Sequence, residues 1–149
     1  MEHVRIKILN SLYDLLNNQT IATSNVYVNR LHKMSTDEMP AILIYISNED
    51  AMRDGVGFKQ KRDLYISIEL YSTENNDNNI DLILNNLASQ VEQILSNNRK
   101  LTNNIALDTK YTGCDLSLNT DGERAIGILK MNYTITYRVL ENDPNNSIN

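Results

Sequence analysis

The stretch RDLYISIELYS, residues 62–72, alternates apolar and polar side chains with a period of two. One face carries four aliphatic side chains in succession, namely Leu64, Ile66, Ile68 and Leu70. The other face is polar and aromatic and carries Asp63, Tyr65, Ser67, Glu69 and Tyr71. This period is typical of a β-strand that places one face against a core. The sequence therefore predicts a strand over residues 60–72 with a buried and a less buried face.

A second stretch, MPAILIYIS at residues 39–47, predicts a strand over 41–47 that is apolar on both faces. Pro40 is compatible with a strand because it stands at the first position, where its missing N–H matters least. One face carries Ile42, Ile44 and Ile46, and the other carries Leu43 and Tyr45. The second face needs a cover. That cover is either the chain itself, through residues 105–118 or a loop over 48–59, or another protein.

Apolar residues at helical spacing predict two helices, and further alternating runs predict more strands. The helices are expected over 3–17 and 79–96, and the additional strands over 26–30, 105–118 and 124–140. A long polar loop is expected over 48–59. The order is α-β-β-β-α-β-β, which indicates an α+β fold. We expect a mostly antiparallel sheet of about five strands with both helices packed on one face.

Length and charge limit the classes of function. We expect one domain over residues 1–141 and a disordered polar tail over 142–149. The net charge of −5 and pI near 5.0 argue against a protein that reads nucleic-acid sequence. No apolar run approaches the roughly 18 residues of a membrane span, and the first residues do not resemble a signal peptide. The single cysteine, Cys114, excludes an internal disulfide.

The sequence carries no recognisable catalytic or metal-binding motif. His3 and His32 are far apart and have no partner at ligand spacing, and Cys114 stands beside Asp115 rather than a base. The glycines of DGVG, residues 54–57, precede a strand instead of a helix and so do not form a phosphate loop. We therefore expect no enzymatic activity, no cofactor and no metal.

The face of the predicted sheet that points away from the helices is the best candidate for a binding surface. It carries a semi-apolar set made of Tyr27, Leu43, Tyr45, Tyr65 and Tyr71. Tyrosine is enriched at protein–protein interfaces because it joins a large apolar ring to a polar tip. Either this face is an interface or the chain covers it.

Four motifs together resemble a known family. They are NVYVNRL at 25–31, EMPAILIY at 38–45, RDLYISIELY at 62–71 and YTITY at 133–137. Together with the two helices, they resemble the tail terminator proteins of long-tailed phages and of related prophage or gene-transfer particles. These proteins are also called minor tail or tail-completion proteins. The resemblance extends over residues 3–140 and rests on structural motifs.

This resemblance implies an α+β subunit of a hexameric ring in the tail of the virion, assembled in the cytoplasm of the host bacterium. The ring would cap the tail tube, stop its polymerisation and offer a docking surface to the head–tail connector. The expected partners are therefore further copies of the chain, the tail tube protein and the connector. The alternatives are another neck or tail-tube component or, from a different class, a small ligand-binding domain or enzyme.

The predicted loop over 48–59 mixes charged and apolar residues, which a merely solvated loop has little reason to expose. We expect it to contact a neighbouring subunit or the tube, with solvation as the alternative. The residues expected to make this contact are Glu49, Asp50, Met52, Arg53, Asp54, Val56 and Phe58.

Overall fold

The computed structural model describes residues 2–73, 79–121 and 124–149. The two helices are α1 and α2, which span Val4–Leu16 and Ile80–Ser96. The strands β1 to β6 span, in order, Val26–Val28, Ala41–Arg53, Lys59–Thr73, Asp108–Asp121, Arg124–Leu140 and Asp143–Ser147. Short 3₁₀ turns occur at Thr36–Glu38 and Thr102–Asn104. The dipeptide Asp121–Gly122 between β4 and β5 is typical of a hairpin turn, and its Gly122 lies outside the described residues.

The strands form one sheet in the order β1-β2-β3-β5-β4, and β6 pairs with β5. β1 and β2 run parallel, and the other pairs are antiparallel. The predicted α+β class and element order are confirmed, with β6 as an additional strand. β3 lies between β2 and β5, so the alternating stretch that predicted the fold is a central strand.

Both helices pack against the face of the sheet that carries the aliphatic residues of β3. The core joins the apolar stripes of α1 and α2 to alternating residues of β2, β3 and β5. Its fully buried side chains include Ile8, Leu12, Ile42, Ile44, Leu64, Ile68, Leu87, Val91, Ile135 and Tyr137. Because these residues recur every second position along the strands, the opposite face of the sheet points away from the helices.

The predicted loop over 48–59 is wrong for most of its length. β2 continues to Arg53 and β3 begins at Lys59, so that only Asp54–Phe58 forms the turn. A bulge between Ile46 and Asn48 shifts the register, and pairing then continues to Arg53 and Gln60. This segment resembles a loop in sequence because most of its side chains are exposed on both faces and carry no alternating apolar pattern.

The predicted disorder over 142–149 also differs from the structure, in which Asp143–Ser147 forms β6. The backbone N–H of Ile148 donates to the carbonyl of Arg138 over 2.9 Å, and Lys7 Nζ donates to the carbonyl of Asn145 over 2.6 Å. The acceptors of both hydrogen bonds are main-chain carbonyls, so the polar composition of this segment does not indicate that the bonds form.

Candidate assembly surfaces

The open face of the sheet, opposite the helices, brings two of the four predicted tyrosines together around one carboxylate. Tyr45 Oη donates to Glu69 Oε1 over 2.8 Å, and Tyr71 Oη donates to Glu69 Oε2 over 2.6 Å. Partial burial and the Glu69 carboxylate together raise the pKa of both phenols. These tyrosines therefore remain neutral. Their hydroxyls are already hydrogen-bonded to Glu69, and their rings lie on the open face.

Tyr65 and Tyr27 lie to either side of this cluster. Tyr65 Oη donates to Asp50 Oδ2 over 3.0 Å, and this hydrogen bond raises the pKa of the Tyr65 phenol. The Tyr27 ring lies under the Arg30 guanidinium, 4.6 Å from its carbon to the ring centroid. Arg30 in turn forms an ion pair with Glu38.

One end of the open face is covered by the chain itself. The segment between β1 and β2 crosses this end and buries Met34, and Ile126 is also buried there. Neither residues 105–118 nor the predicted loop over 48–59 provides the cover. A cavity of about 710 Å³ remains under the segment, lined by Leu43, Tyr71, Ile128, Met39 and, at its rim, Arg30, His32 and Lys33.

The end of the β2–β3 hairpin exposes three apolar side chains. Met52, Val56 and Phe58 are 62%, 92% and 65% exposed. Gly55 and Gly57 adopt positive φ, which glycine accepts without strain, and the backbone N–H of Glu141 donates to the carbonyl of Phe58 over 2.8 Å. We refer to residues 52–58 as the β2–β3 tip.

The two charged residues of the β2–β3 tip differ in how closely they pair with charges of the same subunit. Asp54 forms an ion pair with Arg138. The Arg53 side chain is 70% exposed, and its Nη2 atom lies 4.0 Å from the half-exposed Glu141 carboxylate. Arg53 is the one cation of the tip, and its side chain is available to another molecule.

Glu49, predicted as a contact residue, lies inside the subunit. Its side chain is 11% exposed, and its carboxylate accepts hydrogen bonds from Arg5 Nη1, Arg62 Nη1 and Tyr137 Oη at 3.1, 3.3 and 2.5 Å. The other predicted contact residues lie along β2 or in the tip. Glu49 is therefore unavailable to a neighbouring molecule.

A second exposed apolar row lies on β4 and was missed from the sequence. It consists of Tyr111, Leu116 and Leu118, and both leucines are more than half exposed. Within the described residues, no strand pairs with the outer edge of β4. The alternation of Cys114, Leu116 and Leu118 with Asp115 and Ser117 is the signal that could have located it.

The described residues contain no group of three or more His, Cys, Asp or Glu side chains arranged to hold a metal ion. In the part of the chain that the structure covers, neither helix has the length and apolarity to cross a membrane. His32 and Cys114 are exposed, and His3 contacts Arg5 and Arg62.

No family model matches this chain, and no curated protein matches it either. The surfaces described above therefore carry the functional argument.

Proposed function

We propose that this chain is the subunit of a ring that ends the tail tube of a phage or a related particle, that is, a tail terminator. The observation that carries the proposal is the presence of two separate exposed apolar patches on one sheet. The β2–β3 tip lies at the end of the part of β2 that β1 does not pair with, and the Tyr111–Leu118 row lies on the outer strand β4. The four sequence motifs that resemble this family support the same function.

Two different exposed patches on one subunit favour head-to-tail association. In such a heterologous contact, the patch at one edge of a subunit meets the other patch of the next, and the chain of subunits closes when the rotation permits. A ring of this kind, expected to be a hexamer, buries both apolar patches of every subunit. The open tyrosine face remains as a surface for the tail tube protein or the head–tail connector.

Charge adds a condition to assembly. Each subunit carries a net charge of −5, so that several copies in a ring repel each other. Because the Debye length falls to about 10 Å at 0.1 M salt, moderate salt screens this repulsion. Assembly is expected to strengthen with salt and with protein concentration.

The direct test combines native mass spectrometry, electron microscopy and tube growth. A terminator forms closed rings of one size, alone or on tube ends, and stops polymerisation of the cognate tube protein when added to it. A tube component would instead extend into tubes, and a neck protein would bind the connector without stopping tube growth. Absence of rings both in solution and on tubes would contradict the proposal.

The cavity of about 710 Å³ under the segment between β1 and β2 supports a second candidate, a ligand-binding domain. Its volume lies in the range of small-molecule sites, and it combines an apolar floor with basic residues at the rim. This candidate predicts that small amphipathic anions raise the melting temperature of the wild-type chain. It also predicts that Leu43→Arg abolishes the effect. A melting temperature that stays unchanged when small amphipathic anions are added would exclude the ligand-binding candidate.

A further inference from the structure

A small pocket between α2 and β4 has the character of a site for a cationic group. It has a volume of about 250 Å³ and is lined by Glu92, Gln93, Ser96, Thr109, Tyr111 and Tyr133. Glu92 is the one charged side chain among the described residues that line it. The walls include two tyrosine rings, whose centroids lie 5.4 Å apart at an interplanar angle of 58°.

Tyr133 contributes a hydroxyl that is buried and unbound. The residue is 4% exposed, and its Oη has no hydrogen-bond partner among the residues that the structure describes. A buried polar group without a partner is costly, and such groups call for an explanation by a missing ligand, ion or water. Tyr133 lines the pocket, so a group placed there lies near this hydroxyl.

The electrostatics of the pocket favour a cation. Burial and the nearby Glu92 carboxylate raise the pKa of the Tyr133 phenol, which therefore stays neutral. A neutral phenol accepts a hydrogen bond from a cationic donor, the Glu92 carboxylate balances its charge, and the ring faces of Tyr111 and Tyr133 attract it. Of the two common cationic side chains, arginine fits better because its planar guanidinium stacks on rings and carries several donors.

We infer that this pocket binds Arg53 from the β2–β3 tip of a second copy of the chain. This inference rests on the proposed ring and specifies its subunit contact. The exposed Arg53 guanidinium complements the Glu92 carboxylate. The apolar residues of the turn, Val56 and Phe58, complement Leu116 and Leu118, which are exposed on the neighbouring β4. Met52 points to the open face instead.

The sheet register is compatible with this contact. Arg53 pairs with Gln60, which pairs with Val139, and Tyr111 pairs with Tyr133. Val139 and Tyr133 share the helix side of β5, so Arg53 and Tyr111 lie on the same side at opposite edges. Two subunits can meet edge to edge with their helices on the same side of the joined sheets. Arg53 of one subunit and Tyr111 of the other then both point to that side.

Charge reversal on each side of the contact tests the inference. Glu92→Lys and Arg53→Glu should each lower association of the subunit by about tenfold or more, measured by native mass spectrometry and analytical ultracentrifugation. An equimolar mixture of the two variants should restore assembly, because each offers the charge that the other lacks. Asp81→Lys on the same helix and Lys100→Glu are matched controls and should associate like the wild type.

Tyr133→Phe separates a binding role from a structural one. Because the hydroxyl is unbound in the free subunit, its removal should leave the melting temperature unchanged or raise it, while association weakens several-fold. A lower melting temperature with unchanged association would overturn the inference.

The outcomes also separate this contact from the proposed function. Wild-type rings that tolerate both charge reversals would overturn the contact and leave the terminator function standing. Open head-to-tail chains that are disrupted by both reversals and never close would support the contact and contradict the ring. A wild-type chain that stays monomeric even with the tail tube protein would overturn both.

Discussion

The hydroxyl of Tyr137 on β5 donates to Oε2 of Glu49 on β2 over 2.5 Å, across the intervening strand β3. The other carboxylate oxygen of Glu49 accepts from Arg5 of α1 and Arg62 of β3. One carboxylate thus joins three strands to the first turn of α1. The bulge after Ile46 makes this possible, because the register shift brings Glu49 opposite Leu64, on the side of the helices.

Glu49→Ala should destabilise the subunit by about 2–4 kcal/mol, because it leaves the buried Tyr137 hydroxyl without its acceptor and the Arg62 guanidinium, which still donates to Gln60, without its ion pair. Chemical denaturation followed by circular dichroism measures this change. Asp50→Ala is the matched control, since Asp50 is exposed and the hydrogen bond that it accepts from the Tyr65 hydroxyl lies at the surface. It should cost less than about 1 kcal/mol. Equal effects of the two variants would contradict a structural role for Glu49.

His3 should make the stability of the subunit depend on pH. Its Nδ1 caps α1 by accepting from the backbone N–H of Arg5 over 3.1 Å. Burial, together with the charges of Arg5 and Arg62, lowers its pKa, and Glu49 only partly opposes this. Below about pH 6.5 the unfolded chain binds a proton that the folded chain resists. The free energy of unfolding should therefore fall as the pH drops from 7.5 to 5.5.

His3→Asn should flatten this pH dependence, because asparagine also caps a helix but does not titrate. His32→Asn changes an exposed histidine outside this network and should leave the dependence as in the wild type. Denaturant midpoints at several pH values distinguish the two variants. An unchanged slope in His3→Asn would show that another group is responsible.

The sequence allowed most of the fold to be predicted, because the core follows simple periods. The alternation around Leu64–Leu70 and the helical spacing after Ile80 both reflect burial on one side. The predictions failed where strands pair through their main chains but bury few side chains. The outer part of β2 up to Arg53 and the strand β6 are held by backbone hydrogen bonds, and their side chains carry no apolar period.

The candidate surfaces could be predicted only in part, because exposure depends on the tertiary arrangement. The tyrosines of the open face followed from alternation, and the structure brings Tyr45 and Tyr71 to the same carboxylate. Glu49 stands one residue from Asp50, and no local signal indicates that the bulge turns it inward. The unbound hydroxyl of Tyr133 likewise depends on where α2 lies over β5.

Gly127→Ala should destabilise the subunit, because α2 lies directly over this glycine of β5. An added Cβ would stand 2.2 Å from Cγ2 of Ile80 and 2.9 Å from Cδ1 of Leu84. Moving the first turn of α2 away from the sheet should cost about 1–3 kcal/mol, as for other overpacked cores. Ser117→Ala on the neighbouring strand adds no atom to the core and serves as control. A wild-type melting temperature for Gly127→Ala would contradict the observed packing.

Deletion of residues 142–149 should lower stability, in contrast to the removal of a disordered tail. The deletion removes β6, the hydrogen bond from Lys7 to Asn145 and the pairing along the end of β5. We expect a lower denaturation midpoint and faster hydrogen exchange at the amides around Val139 and Leu140, which pair with β6. Deletion of Asn149 alone is a milder control: it leaves β6 in place and removes only the side-chain bonds of Asn149, among them the acceptor of the Arg138 N–H. Unchanged exchange in the longer deletion would indicate that β6 does not form in solution.

Tyr45→Lys tests whether the open face binds another protein. Tyr45 is partly exposed, and its hydroxyl contacts Glu69, so a lysine ammonium at this position can pair with the same carboxylate. The free subunit should therefore keep its circular dichroism spectrum and lose less than about 1 kcal/mol. A charge placed in an interface is costly to bury, so binding to the tail tube protein or the connector should weaken strongly. Ser89→Lys on the exposed side of α2 adds the same charge elsewhere and should bind normally. A variant that unfolds would show that the face around Tyr45 belongs to the core of the subunit, and the binding surface would then be confined to the two edges.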